Sequence, residues 1–300
     1  MQLDLLPILK CLHCGHDGLQ QQENSRIVNK ETLLDGAGVC PRCHTRYPVK
    51  DGIINFLSRR TPNITFGQLP NQFTFTAWGY ERLWRKRALS LLGGREWLPE
   101  EELATLIEML NADGFKREGY EIATHNGVAF ILDEGSSTGF YARAVACAIR
   151  DGKLNMGGAP LHVVAIDNSW QMLQEARKYI EQEGLSDAIS LVRADVEDMP
   201  FINKAFAGIT NGAALNEFKH TEPALSETRR TLDKFGNAVF MVQMKARGKT
   251  GRLLDTLITL TSGIKFFDYA QLEQHYDRAG FRCLEQVSSG LVTISRLRKR

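Results

Sequence analysis

Four cysteines stand in two pairs, Cys11-Leu-His-Cys14 and Cys40-Pro-Arg-Cys43, with 25 residues between the pairs. A CxxC pair is a tight knuckle presenting two thiolates, and two knuckles meet the tetrahedral demand of one zinc ion. The spacing predicts a closed four-thiolate site, structural because no coordination position stays open. His13, His16 and His44 lie nearby, but four thiolates already fill the shell. A disulfide pair does not suit a chain whose first residues lack a basic-then-apolar leader, and a redox dithiol needs only one knuckle. A module of about fifty residues buries too little apolar surface to hold itself, so a metal staple has a purpose. Cys147 and Cys283 fall in an expected helix and strand, as small core residues.

A second group of residues sits at the ends of apolar runs. Val128–Leu132 has the length of a buried strand and runs through Asp133-Glu134 into the small-residue loop Gly135-Ser-Ser-Thr-Gly139. Tyr141–Ile149 then has the pattern of an amphipathic helix. Strand, glycine turn and helix let a nucleoside approach the backbone at the carboxyl end of a sheet. Asp167 closes the next apolar run, where a carboxylate can accept both ribose hydroxyls. It lies 32 residues beyond Gly135, more than the usual ~20, with Asn155–Pro160 as the insertion. Asp195 follows a third run and can accept from an adenine amino group while a neighbouring backbone N–H reaches a ring nitrogen. The fourth run ends in Asn211-Gly-Ala-Ala-Leu-Asn216-Glu217.

These residues need a scaffold of alternating elements. Strands are expected at 128–132, 161–166, 189–192, 206–209 and 238–242, with helices near 140–150, 169–183 and 222–233. That alternation predicts a mainly parallel sheet covered on both faces. Residues 281–287 and 291–295 are joined by only Ser288-Ser-Gly290, too short for a crossover, so they form an antiparallel hairpin. Three units result: 1–58, the ribbon; 59–125, a breaker-rich linker (58–72) and an aromatic cap; 126–300, the α/β domain. A helix is expected over 100–111, begun by Pro99 and an acidic first turn. Phe75, Trp78, Tyr80 and Trp84 serve either as packing on the sheet edge or as a lid over a planar, greasy ligand. The chain has 300 residues, 43% hydrophobic and 24% charged, with a net charge of +2. No apolar run spans a bilayer, so a cytoplasmic location is expected, and the near-neutral charge disfavours RNA. Arg296, Arg298, Lys299 and Arg300 read as a solvated basic end.

A parallel sheet finished by such a hairpin resembles the class I methyltransferases that use S-adenosylmethionine. Asp133–Gly139 resembles the Asp-x-Gly-x-Gly-x-Gly signature of their type 11 group, and "Val-Arg-Ala-Asp…Met-Pro-Phe" and "Asn-Gly-Ala-Ala-Leu" resemble their third and fourth motifs. With the ribbon and "Trp-Gly-Tyr-Glu-Arg-Leu-Trp-Arg", residues 10–297 are similar to a subgroup related to plastid and cyanobacterial proteins. The resemblance implies a Rossmann-like, mainly parallel seven-stranded sheet. It implies donor contacts at Gly135, Ser136, Gly139, Asp167, Asn168, Asp195, Val196 and Asn211. Ser137 replaces the central glycine and keeps the turn if its φ stays negative. The donor arrives activated, so the protein aligns, excludes water, and supplies a base only where the acceptor carries a proton. Base candidates are His220, Glu217 and His125. An Asn/Asp-Pro-Pro-Tyr/Phe pattern is absent at 211–214, leaving O-, C- and other N-acceptors. The expected substrate is a small, partly apolar metabolite under Trp78, Tyr80 and Trp84, with Arg247, Arg252 and Lys265 available to an acidic group. The alternatives are an rRNA guanine and a donor-binding protein that does not methylate.

Overall fold

The computed structural model describes residues 1–58, 68–69, 72, 99–112, 123–246 and 248–300. Phe75, Trp78, Tyr80, Trp84 and Arg247, and with them most of the expected cap, lie outside the described residues.

The α/β part is built on β6 (Ala129–Glu134), β7 (Leu161–Asp167), β8 (Ile189–Arg193), β9 (Phe206–Gly212) and β10 (Leu232–Gln243). These five are mutually parallel. β11 (Phe281–Ser289) and β12 (Val292–Lys299) close the sheet as an antiparallel hairpin, giving the order β8-β7-β6-β9-β10-β12-β11. Side chains alternate between two cores, as a two-residue period requires. Phe130, Leu132, Val164, Ile166 and Phe240 face one side, where α4 (Thr221–Thr231) and α6 (Tyr269–Arg278) pack. Ile131, Val163, Ala165 and Val239 face the other, beneath α1 (Pro99–Asn111), α2 (Phe140–Arg150) and α3 (Trp170–Gln182). The expected mainly parallel sheet and its final hairpin are present.

The N-terminal module does not stand apart. Its strands β1 (Gln20–Gln21), β2 (Arg26–Val28), β3 (Thr32–Val39), β4 (Arg46–Lys50) and β5 (Ile53–Asn55) form an antiparallel ribbon. β5 then pairs parallel with β8, Ile53 opposite Leu191 and Ile54 opposite Val192. The expected seven strands are therefore part of one twelve-stranded sheet. The open backbone of β8 is capped by the ribbon, which removes an exposed sheet edge. Leu5, Ile8 and Leu9 join the core formed by Phe201 and Phe206.

Two local expectations are corrected, and one helix adds to those expected. β10 begins at Leu232, directly after α4, six residues ahead of the predicted strand. Gly236 allows this: a Cβ there would lie 2.5 Å from the Ala207 carbonyl oxygen, and the pairing with β9 shifts register between Leu232 and Asn237. The segment after β10 contains a helix of its own, α5 (Lys249–Ser262). The basic C-terminal residues are pinned, not free: Arg298 donates to Asn237 Oδ1 at 3.0 Å, Arg296 pairs with Glu285 at 3.1 Å, and Arg300 pairs with Asp277.

Candidate functional site

The four cysteine sulfurs lie within 4.8 Å of one another. Cys11 and Cys43 Sγ are 3.6 Å apart, as are Cys14 and Cys40 Sγ. Zinc–sulfur bonds of 2.3 Å in a tetrahedron require an edge of about 3.8 Å, so the cluster fits the ion. The knuckles are built alike: Gly15 N–H returns to Cys11 O and His44 N–H to Cys40 O, both residues in the left-handed region. The Tyr47 hydroxyl lies 3.3 Å from Cys11 Sγ and the Thr45 hydroxyl 3.2 Å from Cys43 Sγ, donors suited to thiolates. His13, His16 and His44 are not in the cluster.

The nucleoside-directed residues gather at the carboxyl ends of β6, β7, β8 and β9. Asp133 is buried and holds the turn from both sides, accepting from Ala142 N–H at 3.0 Å and from the Thr210 hydroxyl at 3.0 Å. Gly135 and Gly139 have φ of 62° and 76°. Ser137 has φ of 51°, contrary to the expected negative value. The loop keeps the glycine conformation with a serine in it, at a cost of about 1–2 kcal/mol. Asp167 explains why it holds: its Oδ2 accepts Ser137 N–H at 2.8 Å, and its Oδ1 accepts Ser169 N–H at 2.8 Å. Burial raises the Asp167 carboxyl, while these N–H groups and Arg193 pull it back. Each oxygen keeps a lone-pair direction for a hydroxyl. Ser136 Oγ is buried without a hydrogen-bond partner beside it.

Asn168 is half-buried; its side chain accepts from Gln72 at 3.4 Å, and its carbonyl accepts from Arg193 at 3.0 Å. Asp195 accepts Glu197 N–H at 2.9 Å, and Val196 is buried next to it. Asn211 lies near the carboxyl end of β9, its Nδ2 buried without a hydrogen-bond partner among the described residues. Its side chain is fully buried and its Oδ1 accepts Leu215 N–H at 3.1 Å, which shapes the turn over Gly135.

The base candidates separate clearly. Glu217 follows the short 3-10 turn Ala214–Asn216, and burial, with the Asp167 carboxylate adding to it, pushes it up to about 7. It is thus at the same end of the sheet as Asp167 and poised near neutrality. His220 is exposed at the start of α4, its Nδ1 2.7 Å from Glu197, whose carboxylate is otherwise buried. His125 lies before β6, at the amino end, a strand length of about 20 Å from the glycine loop; it is not at the site. Sequence reasoning missed Glu197 and Gln72, whose only signal is nearness in chain to Asp195 and to the linker. It also missed Glu134, fully buried under α4, whose carboxyl burial raises to about 8.

Residues 131–236 match the family model described as a methyltransferase domain. The chain carries a methyltransferase domain. It is 29% identical over 111 residues to a demethylmenaquinone methyltransferase of Bacteroides fragilis, a match covering 37% of this chain and 42% of that protein. It is 30% identical over 83 residues to a ubiquinone/menaquinone biosynthesis C-methyltransferase of Brucella canis, covering 28% and 31%. The matches span less than half the length of these curated relatives. The fold is similar to that of an S-adenosylmethionine-dependent methyltransferase of Aquifex aeolicus, with TM-score 0.50 at 16% identity over 74% of this chain and 97% of that one. The donor set fits that cofactor: a carboxylate at Asp167 for a diol and an unsatisfied hydroxyl at Ser136. Among the described residues no helix is long and apolar enough to cross a membrane.

Proposed function

We propose that this protein transfers a methyl group from S-adenosylmethionine to a small, partly apolar acceptor of hydroquinone type, at a ring carbon or its oxygen. The observation that carries the reading is the meeting of the Gly135–Gly139 loop, Asp167 and Glu217 at one end of the sheet. The names of the two quinone-methylating relatives support the acceptor class. When bound, the cofactor supplies an activated methyl group for in-line displacement. Asp167 would hold the ribose hydroxyls, Ser136 and the loop backbone the amino-acid end, and Asp195 with Val196 the adenine. Glu217, at about 7, takes the acceptor's phenolic proton once it is itself deprotonated. His220 is given a positioning role through Glu197. The four thiolates would hold one structural zinc, and the ribbon joined to this domain supports kinship with the plastid and cyanobacterial subgroup.

Calorimetry with the cofactor tests the first step. Asp167→Ala is expected to weaken binding at least about tenfold, the scale of a lost buried hydrogen bond to a charged group. Unchanged affinity would remove Asp167 from the donor site. Methylation of a short-chain demethylated quinol, followed by mass spectrometry, tests the acceptor.

A further inference from the structure

Helix α5 is built inside out for a water-soluble protein. None of its 14 residues is buried. Leu253, Leu254, Leu257 and Leu260 are 72, 56, 56 and 79% exposed. At 100° per residue these four fall on one face, and that face points away from the protein. The inward face carries Gly251, Asp255, Ile258, Thr259 and Ser262, all half-buried, with Ile258 its one large apolar side chain. The orientation is fixed locally. Asp255 accepts Ala246 N–H at 2.6 Å, and Gly251 sits so near Ala246 that a Cβ would come within 2.7 Å of the Ala246 Cβ. The helix therefore spends its one acid on its own base and turns its leucines outward.

The outward face also has a charge pattern. Lys249 and Arg252, both exposed, border the leucines on one side, and the helix's own acid, Asp255, lies on the opposite face. A leucine stripe edged by cations, with net charge of one sign, is the pattern of a helix that lies in a lipid interface. The chain after the helix is stapled beside the candidate site. Lys265 N–H donates to Asn216 O at 2.7 Å, and Lys265 Nζ donates to Lys219 O at 2.9 Å, on either side of Glu217. Tyr269 and Val287, also exposed, lie toward the same end of the sheet, since the turn after β11 abuts the carboxyl end of β10.

We infer that α5 is an interfacial anchor that seats the protein on an anionic lipid surface, with its four leucines in the apolar layer and Lys249 and Arg252 against the headgroups. The chain leaving α5 is bonded on either side of Glu217, so the seated helix would bring an acceptor dissolved in the bilayer near that residue. The anchoring stands on the helix alone; the route for the acceptor rests on the proposed reaction.

Flotation of the full chain with vesicles of phosphatidylcholine and phosphatidylglycerol in equal parts tests it. The protein is expected to float with these vesicles and to bind phosphatidylcholine vesicles more weakly. Leu253→Ser/Leu257→Ser/Leu260→Ser should lower the bound fraction at least about tenfold while cofactor affinity by calorimetry, which reports the fold, stays unchanged. Lys249→Glu should weaken binding to the anionic vesicles alone. The inference is overturned if the native chain stays in the soluble fraction, or if the serine variant floats equally well. It is also overturned if sedimentation shows the leucines holding two copies together. Methylation of a water-soluble quinol separates the two ideas: turnover without flotation removes the anchor and keeps the reaction, and flotation without turnover does the reverse.

Discussion

Glu134 at the end of β6 and Glu217 beyond β9 are both raised mainly by burial, and the two shifts make separate predictions. Glu217 at about 7 must be deprotonated to act as a base, so methyl transfer should rise with pH through about 7 and level above it. Glu217→Gln should remove that limb and lower the rate at least about a hundredfold, with cofactor affinity retained; His220→Ala should keep the limb. Stopped assays over pH 5.5–9 measure both. Glu134 is desolvated under α4, with the Asp133 and Glu227 charges adding to its rise and Thr228 offsetting it. Its folded value, about 8, exceeds the ordinary 4.5, so the folded state holds a proton that the unfolded chain releases. Its contribution to stability is full below 4.5 and is lost as pH rises toward 8. Glu134→Gln keeps an acceptor for the Thr228 hydroxyl without the titration. Denaturant melts should therefore show the native chain losing on the order of a few kcal/mol across that window relative to the variant.

At the scale of elements, the site depends on one stitch between three segments. Asn216 is buried; its Nδ2 donates to Gln243 O at 2.9 Å and Lys265 O at 2.6 Å, and its Oδ1 accepts Gln243 N–H at 2.9 Å. This joins the turn after β9 to the end of β10 and to the chain leaving α5, and it sets where Glu217 stands. Asn216→Ala leaves those backbone groups unmet in a buried place and should destabilise the fold by about 3 kcal/mol in urea unfolding. Turnover should fall further than cofactor affinity, because Asp167 is held by Ser137 and Ser169 on other elements. The helix α1 shows the opposite case, an element written locally. Pro99 starts it, Glu100–Glu102 occupy its first turn, and Leu106, Met109 and Leu110 bury one face, in agreement with the expected 100–111.

For the whole molecule, the ribbon's contribution reaches the proposed donor site through β5. Phe56 N–H donates to Arg193 O at 2.9 Å, two residues before Asp195, and Arg193 donates to the Asn168 carbonyl. One zinc per chain is expected by elemental analysis. Its removal by a chelator should lower the melting temperature and weaken cofactor binding several-fold, measured by scanning calorimetry and titration; a ribbon that unfolds without either effect would be an independent appendage. The residues alone determined the strand-helix alternation, the hairpin of 281–287 with 291–295, the paired knuckles and the strand-end acids, because each is encoded in short-range periodicity, turn length or ligand spacing. The resemblance of 133–139 and 193–201 to methyltransferase motifs added the cofactor. Tertiary structure alone decided that β5 extends the sheet, that Asn211 is fully buried and His125 remote, that Ser137 holds a left-handed turn through Asp167, and that the leucines of α5 face outward. These outcomes depend on which distant segments share a hydrogen-bonded edge or a buried face, and no local pattern in the chain carries that information.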